Sequence, residues 1–245
     1  MQPKLRSLPS VAVLLLAVPL AAGAQDEPKR FSFTASLGYV NAAGNIDLTS
    51  LTGEERVDYV TADSTWRYGQ SFAAVYGKTS DSTTANAIRL GGRVDRFITS
   101  RLSGFGGVGW ERNRFAGISR RLEEIVGLAY LLIARPSDEL RLEGGASFNQ
   151  QRSVAGPSDE FVAARAAAAY KHTFFEKAYF QQLAEVLPNL ETSDDVRVNA
   201  ESALVAPLSD LLSLKLGYSI RYDRLPEPGF AKTDRVFSSG LQINF

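Results

Sequence analysis

The chain has 245 residues, of which 44% are hydrophobic and 22% are charged, and its 27 basic side chains balance 27 acidic ones. This balance disfavours a nucleic-acid partner, because nucleic-acid binding selects for clustered positive charge. With no cysteine and one histidine, the chain cannot form disulfides, thiolate metal sites or a zinc site of several histidines. The composition therefore predicts a protein without a metal or other cofactor.

Residues 1–24 have the three parts of a signal peptide. Lys4 and Arg6 give a basic start, residues 11–20 form an apolar core, and a run of small residues ends at Ala24. A membrane anchor is the alternative, but this apolar core is too short for a helix that spans about 30 Å of hydrocarbon. We therefore predict export, with cleavage after Ala24.

A short periplasmic lead-in over residues 25–30 is expected to precede a single β-domain over residues 31–245. Within it apolar residues recur at every second position, which is typical of strands with one apolar face. Residues 212–222 show this best, because six apolar side chains alternate with Ser, Lys, Gly and Arg. The pattern predicts twelve strands, centred on residues 31–41, 47–61, 66–79, 83–96, 102–114, 118–133, 139–151, 160–172, 177–189, 194–206, 211–224 and 232–245.

Twelve such strands predict an all-β, antiparallel transmembrane β-barrel of the outer-membrane type, since bacterial barrels have even strand numbers. A soluble β-sandwich is the alternative, but its turns recur about every 8–12 residues, a closer spacing than these strands have. Connections after even-numbered strands are short, as at residues 98–100, and several after odd-numbered strands are longer, as at residues 225–229. Both termini are therefore expected on the periplasmic side.

Two strands are less clearly defined by the pattern. Apolar residues occupy both faces of the ninth strand, so its phase stays open. Gly53, Glu54 and Glu55 interrupt the second strand, which leaves its register open.

The last strand ends on an apolar face. Phe237, Leu241, Ile243 and the C-terminal Phe245 share one parity. A terminal Phe with apolar residues two and four positions earlier resembles the recognition signal for the barrel-assembly machinery. The sequence therefore predicts this machinery and outer-membrane lipid as partners, and it leaves the oligomeric state undefined.

The chain resembles the salt-induced outer-membrane proteins of the YdiY type, a family of unknown function. The stretches that carry the resemblance are residues 37–41, Gly44-Asn45, residues 110–115, residues 212–216, Arg221-Tyr222-Asp223, Pro226, Pro228, Gly229 and Lys232-Thr233-Asp234. The resemblance implies an outer-membrane barrel and a link to salt or envelope stress. It implies no catalytic motif.

Two features could suggest chemistry. His172 lies beside a predicted periplasmic turn, with Thr173 as the nearby hydroxyl, and a lipid hydrolase would need a nucleophile and an orienting group assembled around it. The glycines at residues 104–109 lie inside an alternating strand with no helix after them, so they do not form a phosphate loop. We predict no catalytic, cofactor or metal residues, and a non-enzymatic protein.

The face opposite the apolar one is rich in charge and is predicted to line the lumen. Its candidate residues are Arg89, Arg93, Asp95, Glu111, Arg121, Glu123, Arg141, Glu143, Arg165, Arg197, Glu201, Lys215 and Arg221. Pairs within a strand are expected between Arg121 and Glu123, Arg141 and Glu143, and Arg197 and Glu201. Because twelve strands fall between filled and open barrels, both a plugged lumen and a narrow, porin-like channel for small polar solutes remain open. A lipid-acting enzyme is the further alternative.

Overall fold

The computed structural model describes residues 30–42, 48–79, 82–156, 158–175 and 177–245. The predicted signal peptide, its cleavage site and most of the lead-in lie outside these residues.

The described residues form twelve strands that follow the predicted pattern closely. Their bounds are β1 Phe31–Ala42, β2 Leu48–Val60, β3 Trp66–Thr79, β4 Ser82–Phe97, β5 Leu102–Asn113, β6 Ile118–Ala134, β7 Asp138–Ser153, β8 Ser158–Phe174, β9 Ala178–Pro188, β10 Val196–Pro207, β11 Leu212–Asp223 and β12 Thr233–Asn244. Each pairs antiparallel with its sequence neighbours, and β1 pairs with β12 from Thr34↔Asn244 to Gly38↔Gly240. The sheet is a closed barrel without edges, which confirms the predicted fold class.

The alternating sequence gives the barrel two different faces. Leu37, Val126, Leu128 and Phe237 are among the exposed apolar residues of the outer face, whereas charged residues of the opposite parity contact one another inside. This inverts the usual soluble pattern and suits a barrel whose outer surface meets lipid. No helix of the described residues is long and apolar enough to span a membrane.

The structure resolves both uncertain strands. In β9, Leu187 is buried inside with Phe161 and Ala163, while Val186 is exposed on the outer face. Strand β2 pairs continuously with β1 and β3, with no register shift at Gly53. Its Glu54 reaches across the lumen to Lys215 on β11, so the polar run does not break the strand.

The two ends of the barrel differ in their connections. We call the end that carries Phe31 and Phe245 the terminal end and the opposite one the loop end. At the loop end a short 3-10 turn, Arg114–Ala116, is capped by the Asn113 side chain and closed by Gly117 at φ 77°. A side chain at position 117 would strike Glu227 within 2.7 Å, which places the β11–β12 loop, residues 224–232, directly against this turn. The loop thus folds over the barrel opening.

Candidate functional site

The lumen in its terminal half is filled by an ion-pair lattice around Asp95. This carboxylate is 1% exposed and contacts three arginines. Arg93 binds it in a bidentate manner at 2.8 and 3.0 Å, Arg67 lies at 3.3 Å, and Arg141 donates to it from β7. Several hydrogen-bonded cations compensate the desolvation of one buried carboxylate here.

Glu143 extends the lattice across the barrel. It accepts two hydrogen bonds from Arg93 at 2.8 and 3.0 Å and one from Arg165 at 2.8 Å, and Arg141 lies at 3.0 Å. Arg165 also donates to Glu185 on β9 at 2.6 Å. Because Arg93 stands on β4 and Glu143 on β7, the pair crosses the lumen. The lattice of Arg67, Arg93, Asp95, Arg141, Glu143, Arg165 and Glu185, which we call the plug, runs from β3 to β9.

An aromatic ring supports the plug. The guanidinium of Arg93 lies 3.9 Å from the centroid of the Phe105 ring, and that of Arg165 lies 5.6 Å from it. Phe105 fits because its cross-strand partner is Gly127, where an added Cβ would lie 2.8 Å from the ring. The glycine therefore makes room inside the wall for the ring that orders two plug arginines.

The loop half of the lumen contains a cavity of about 180 Å³, which we call the chamber. It is roofed by Ala116 of the 3-10 turn and by Pro226, Ala231 and Lys232 of the β11–β12 loop. Its charged lining is balanced, with the basic residues Arg89, Arg121, Arg197, Arg221 and Lys232 and the acidic residues Glu111, Glu123, Glu185, Asp223 and Asp234. Glu185 belongs to both the plug and the chamber.

One side of the chamber is well paired. Glu111 accepts from Arg89 at 2.8 Å and from Arg121 at 3.5 Å. Arg121 also donates to Gln151 through its Nε at 2.9 Å, and Gln151 in turn donates to Glu227 of the roof at 3.0 Å. This chain of contacts ties the β11–β12 loop to the barrel wall.

The other side of the chamber has unused hydrogen-bonding capacity. Arg197 is 6% exposed and lies 5.0 Å above the Phe161 ring, and within the described residues it donates to Asn149 alone, at 3.2 Å. Its Nε has no hydrogen-bond partner among the described residues. Glu123 lines the same cavity and forms no salt bridge within that part of the chain. A buried guanidinium nitrogen without an acceptor is unusual, since nearly all buried polar groups are satisfied.

The expected pairs within strands form in one case of three. Arg141 and Glu143 are 3.0 Å apart, but Arg121 pairs with Glu111 instead of Glu123. Glu201 pairs with Arg221 of β11 at 3.4 Å instead of Arg197. Contacts between strands prevail because long side chains inside a narrow barrel reach the neighbouring and opposite walls. Arg67, Phe105 and Glu185 also face the lumen but are absent from the predicted set, in the case of Glu185 because the phase of β9 was open.

His172 lies at the terminal end, on the side predicted for it. Its Nδ1 is 2.7 Å from Asp138, which also accepts from the Tyr170 and Ser137 hydroxyls at 2.7 Å each. Thr173 is therefore not the only hydroxyl in this region, because those of Ser137 and Tyr170 bind the carboxylate that contacts His172. Both of these hydroxyls donate to the carboxylate and not to the imidazole.

The C-terminal residues lie on the barrel exterior at the seam. Phe237, Leu241, Ile243 and Phe245 are all exposed on the outer face. The Phe245 amide donates to Phe33 at 2.9 Å, and the two rings are 6.1 Å apart. The last residue thus takes part in closing β12 onto β1.

These features define a class. A closed, antiparallel, twelve-stranded barrel with an apolar outside and a charged inside is an outer-membrane-type β-barrel. The chain belongs to the family described as "Protein of unknown function, DUF481", whose profile matches residues 35–245. It is 24% identical over 218 residues to the "Uncharacterized protein YdiY" of Escherichia coli strain K12, covering 86% of this chain and 83% of that protein. The resemblance to the YdiY type is thereby confirmed.

Solved structures with a similar fold include two porins and an autotransporter domain. The NanC porin is 8% identical with a TM-score of 0.48 and coverage of 87% of this chain and 97% of its own. The KdgM porin in complex with disordered oligogalacturonate is 11% identical with a TM-score of 0.46 and coverage of 87% and 99%. The translocator domain of autotransporter NalP from Neisseria meningitidis is 14% identical with a TM-score of 0.46 and coverage of 88% and 86%.

Proposed function

We propose that this protein is a non-enzymatic barrel of the outer membrane whose lumen is closed at rest, and that it serves the envelope under salt or other envelope stress. The observation that carries the closed state is the plug. Arg93 joins β4 to Glu143 on β7, Arg165 joins β8 to β9, and Asp95 is almost fully buried between them. An open aqueous pathway at this level would leave these side chains in contact with water.

Further side chains cross the lumen away from the plug. Lys215 of β11 reaches Glu54 of β2, and Gln242 of β12 donates to the Tyr179 hydroxyl of β9 at 3.0 Å. Gln242 is itself buried. Contacts of this kind add links between strands on the other side of the barrel, where Glu54 is still 45% exposed.

The conductance of refolded protein in a planar bilayer tests the closed state. We expect wild type to show small, weakly selective currents, because the lumen charges are mutually neutralised. Glu143→Gln should raise the conductance, since it removes the carboxylate that joins Arg93 to Arg165 across the lumen. Asp58→Asn, which alters an exposed lumen pair with Arg56 at 2.6 Å, is the matched control and should leave the conductance unchanged.

A narrow porin-like channel for small polar solutes is the second candidate. The chamber favours it, because a charged cavity at the loop end could receive a solute before passage. Large, stable, strongly ion-selective wild-type currents would place this candidate first and contradict the closed lumen.

Export and assembly are parts of the proposal. The apolar outer face supports insertion into outer-membrane lipid, and the exposed parity of Phe237, Leu241 and Phe245 suits contact with the assembly machinery. Intact-mass measurement on membrane-extracted protein should give a chain that begins at Gln25, and retention of Met1 would contradict the signal peptide.

The arrangement at His172 supports the absence of catalysis. A serine-type hydrolase needs a nucleophile that donates to the imidazole, whereas Ser137 and Tyr170 donate to Asp138. Wild type and His172→Ala should therefore release equally little fatty acid from phospholipid. Hydrolysis that is lost in the variant would support the lipid-acting enzyme.

The link to stress comes from the resemblance to proteins described as salt-induced. A deletion strain should grow more slowly than its parent in raised NaCl, and the gene on a plasmid should restore growth. Equal growth of both strains in NaCl and under detergent stress would contradict this part of the proposal alone.

A further inference from the structure

The size of the chamber limits what it could bind. A cavity of about 180 Å³ has room for about six water molecules. It is smaller than the roughly 300–1,000 Å³ of sites for drug-sized molecules. A ligand that fills it would therefore be about the size of one amino acid.

The lining charges select the kind of ligand. Five basic and five acidic residues surround the cavity. A simple anion would approach Arg197 at the cost of repulsion from Glu123, and a simple cation would meet the reverse problem. A molecule that carries both charges avoids this, because each of its groups can face the opposite charge.

Two side chains that line this cavity could form further interactions, Arg197 as a hydrogen-bond donor and Glu123 as an ion-pair partner. Within the described residues Arg197 has one side-chain acceptor, Asn149 at 3.2 Å, so its guanidinium can donate further hydrogen bonds. Glu123 has no salt-bridge partner among the described residues, although Arg197 and Arg121 line the same cavity. Since Glu123 and Arg197 form no salt bridge with each other, a gap remains that a small bifunctional molecule could span.

We propose that the chamber binds a small zwitterion of amino-acid size, with its carboxylate at Arg197 and its ammonium group at Glu123. The planar guanidinium of Arg197 lines the cavity and suits a carboxylate, because it can donate to the two carboxylate oxygens in a forked arrangement. The Phe161 ring fixes that guanidinium from one side. Glu123 supplies the acceptor for the ammonium group. The proposal goes beyond the closed lumen, because binding from the loop end does not require passage through the plug.

Access to the chamber would be through the roof. The β11–β12 loop is held by the hydrogen bond from Gln151 to Glu227 at 3.0 Å, by the Arg224 amide donating to Val196 at 3.0 Å and by the Arg224–Asp194 ion pair at 3.0 Å. These few contacts can open without disturbing the strand pairing. Binding should therefore be reversible on the folded protein.

Isothermal titration calorimetry on the full mature chain, refolded in detergent micelles, tests the proposal with three probes of one carbon skeleton. L-Valine carries both charges, isovalerate carries only the carboxylate, and isobutylamine carries only the ammonium group. We expect valine to bind at least about tenfold more tightly than either analogue, which corresponds to about 1.4 kcal/mol. Absence of valine binding, or equal binding of valine and one analogue, would overturn the proposal.

Variants assign the two ends of the ligand. Glu123→Gln should weaken valine and isobutylamine about tenfold or more and leave isovalerate unaffected, whereas Arg197→Gln should weaken valine and isovalerate. Arg197→Lys, which keeps the charge but loses the fork, provides the same test if Arg197→Gln does not fold. Asp58→Asn lies outside the chamber and should bind like wild type. Unchanged valine affinity in folded Glu123→Gln would refute the assigned geometry.

Discussion

The plug and the chamber are built from the same residue types on the same face of the barrel, yet they differ in how completely the charges are paired. In the plug, Arg93 binds two carboxylates in a bidentate manner and stacks on Phe105. In the chamber, Arg197 has one amide acceptor and an unsatisfied Nε. The difference indicates that arginine content alone does not define the role of a lumen. The number of acceptors that each guanidinium finds separates a rigid filling from a site with capacity for a ligand.

Matched substitutions of two arginines should give the largest effect. Arg165→Met removes one of three arginines at Glu143 and the salt-bridge partner of Glu185, and it should lower the free energy of unfolding by about 3–5 kcal/mol, because the Glu185 carboxylate loses its cation. Arg197→Met removes one hydrogen bond to Asn149 and one unsatisfied group, so its effect should stay within about 1 kcal/mol. Urea unfolding in lipid vesicles measures both, and equal losses would remove the distinction between plug and chamber.

Charged substitutions on the two faces of β11 test the orientation on which the comparison depends. Leu216 is exposed on the outer face, so Leu216→Arg should cost about 2–4 kcal/mol near the membrane midplane. Ser219 pairs across the strand with Glu201, so an arginine there enters the lumen beside a carboxylate and should cost less. Similar losses for the two variants in the same unfolding experiment would show that inside and outside are exchanged.

The charge balance of the chamber can be shifted by removing one carboxylate from each of its two sides. Replacing Glu111 and Glu123 together by Gln releases Arg89 and Arg121 and leaves an excess of positive charge in the loop half of the lumen. Single-channel recordings should show a higher conductance and a reversal potential that indicates greater anion selectivity. Asp58→Asn is the control, and its conductance and selectivity should equal those of wild type. A shift towards cations would contradict the assigned pairing.

An exposed pair gives the smallest expected effect. Arg56 and Asp58 are 2.6 Å apart, but the Arg56 side chain is 60% exposed. Arg56→Gln should therefore change the free energy of unfolding by about 0–1 kcal/mol, and less at high ionic strength. A loss as large as that of Arg165→Met would mean that solvent exposure does not govern the value of these pairs.

The alternation of the sequence was sufficient to predict the strands and their faces. β11, predicted at residues 211–224, runs over Leu212–Asp223, and the charged parity of β4 to β8 faces inward as expected. The orientation of side chains could not be predicted where apolar and polar residues do not alternate. In β9, Leu187 and Val186 are adjacent apolar residues on opposite faces, so no pattern could show that Glu185 faces the lumen.

The pairing inside the lumen was beyond the reach of the sequence. Arg93 and Glu143 are separated by 50 residues and lie on strands that are not hydrogen-bonded to each other. Their meeting depends on the diameter and shear of the closed barrel, which the strand count alone does not define. The same holds for Glu54 and Lys215, which meet because the sheet closes. Periodicity predicts the two faces of one strand at a time, whereas these contacts form only when all twelve strands close into a barrel.

The roof over the loop end has a kinetic consequence. Residues 224–232 hold themselves together through the backbone bonds from Asp223 to Lys232 at 2.8 Å and from Phe230 to Glu227 at 3.0 Å. Their amides should exchange with deuterium through local opening, well before the amides of the strands beneath them. Loop motions of this size take place in nanoseconds to microseconds and lid opening in microseconds or longer. The residence time of any molecule in the chamber would then be set by how often Glu227 leaves Gln151, and not by diffusion along the barrel.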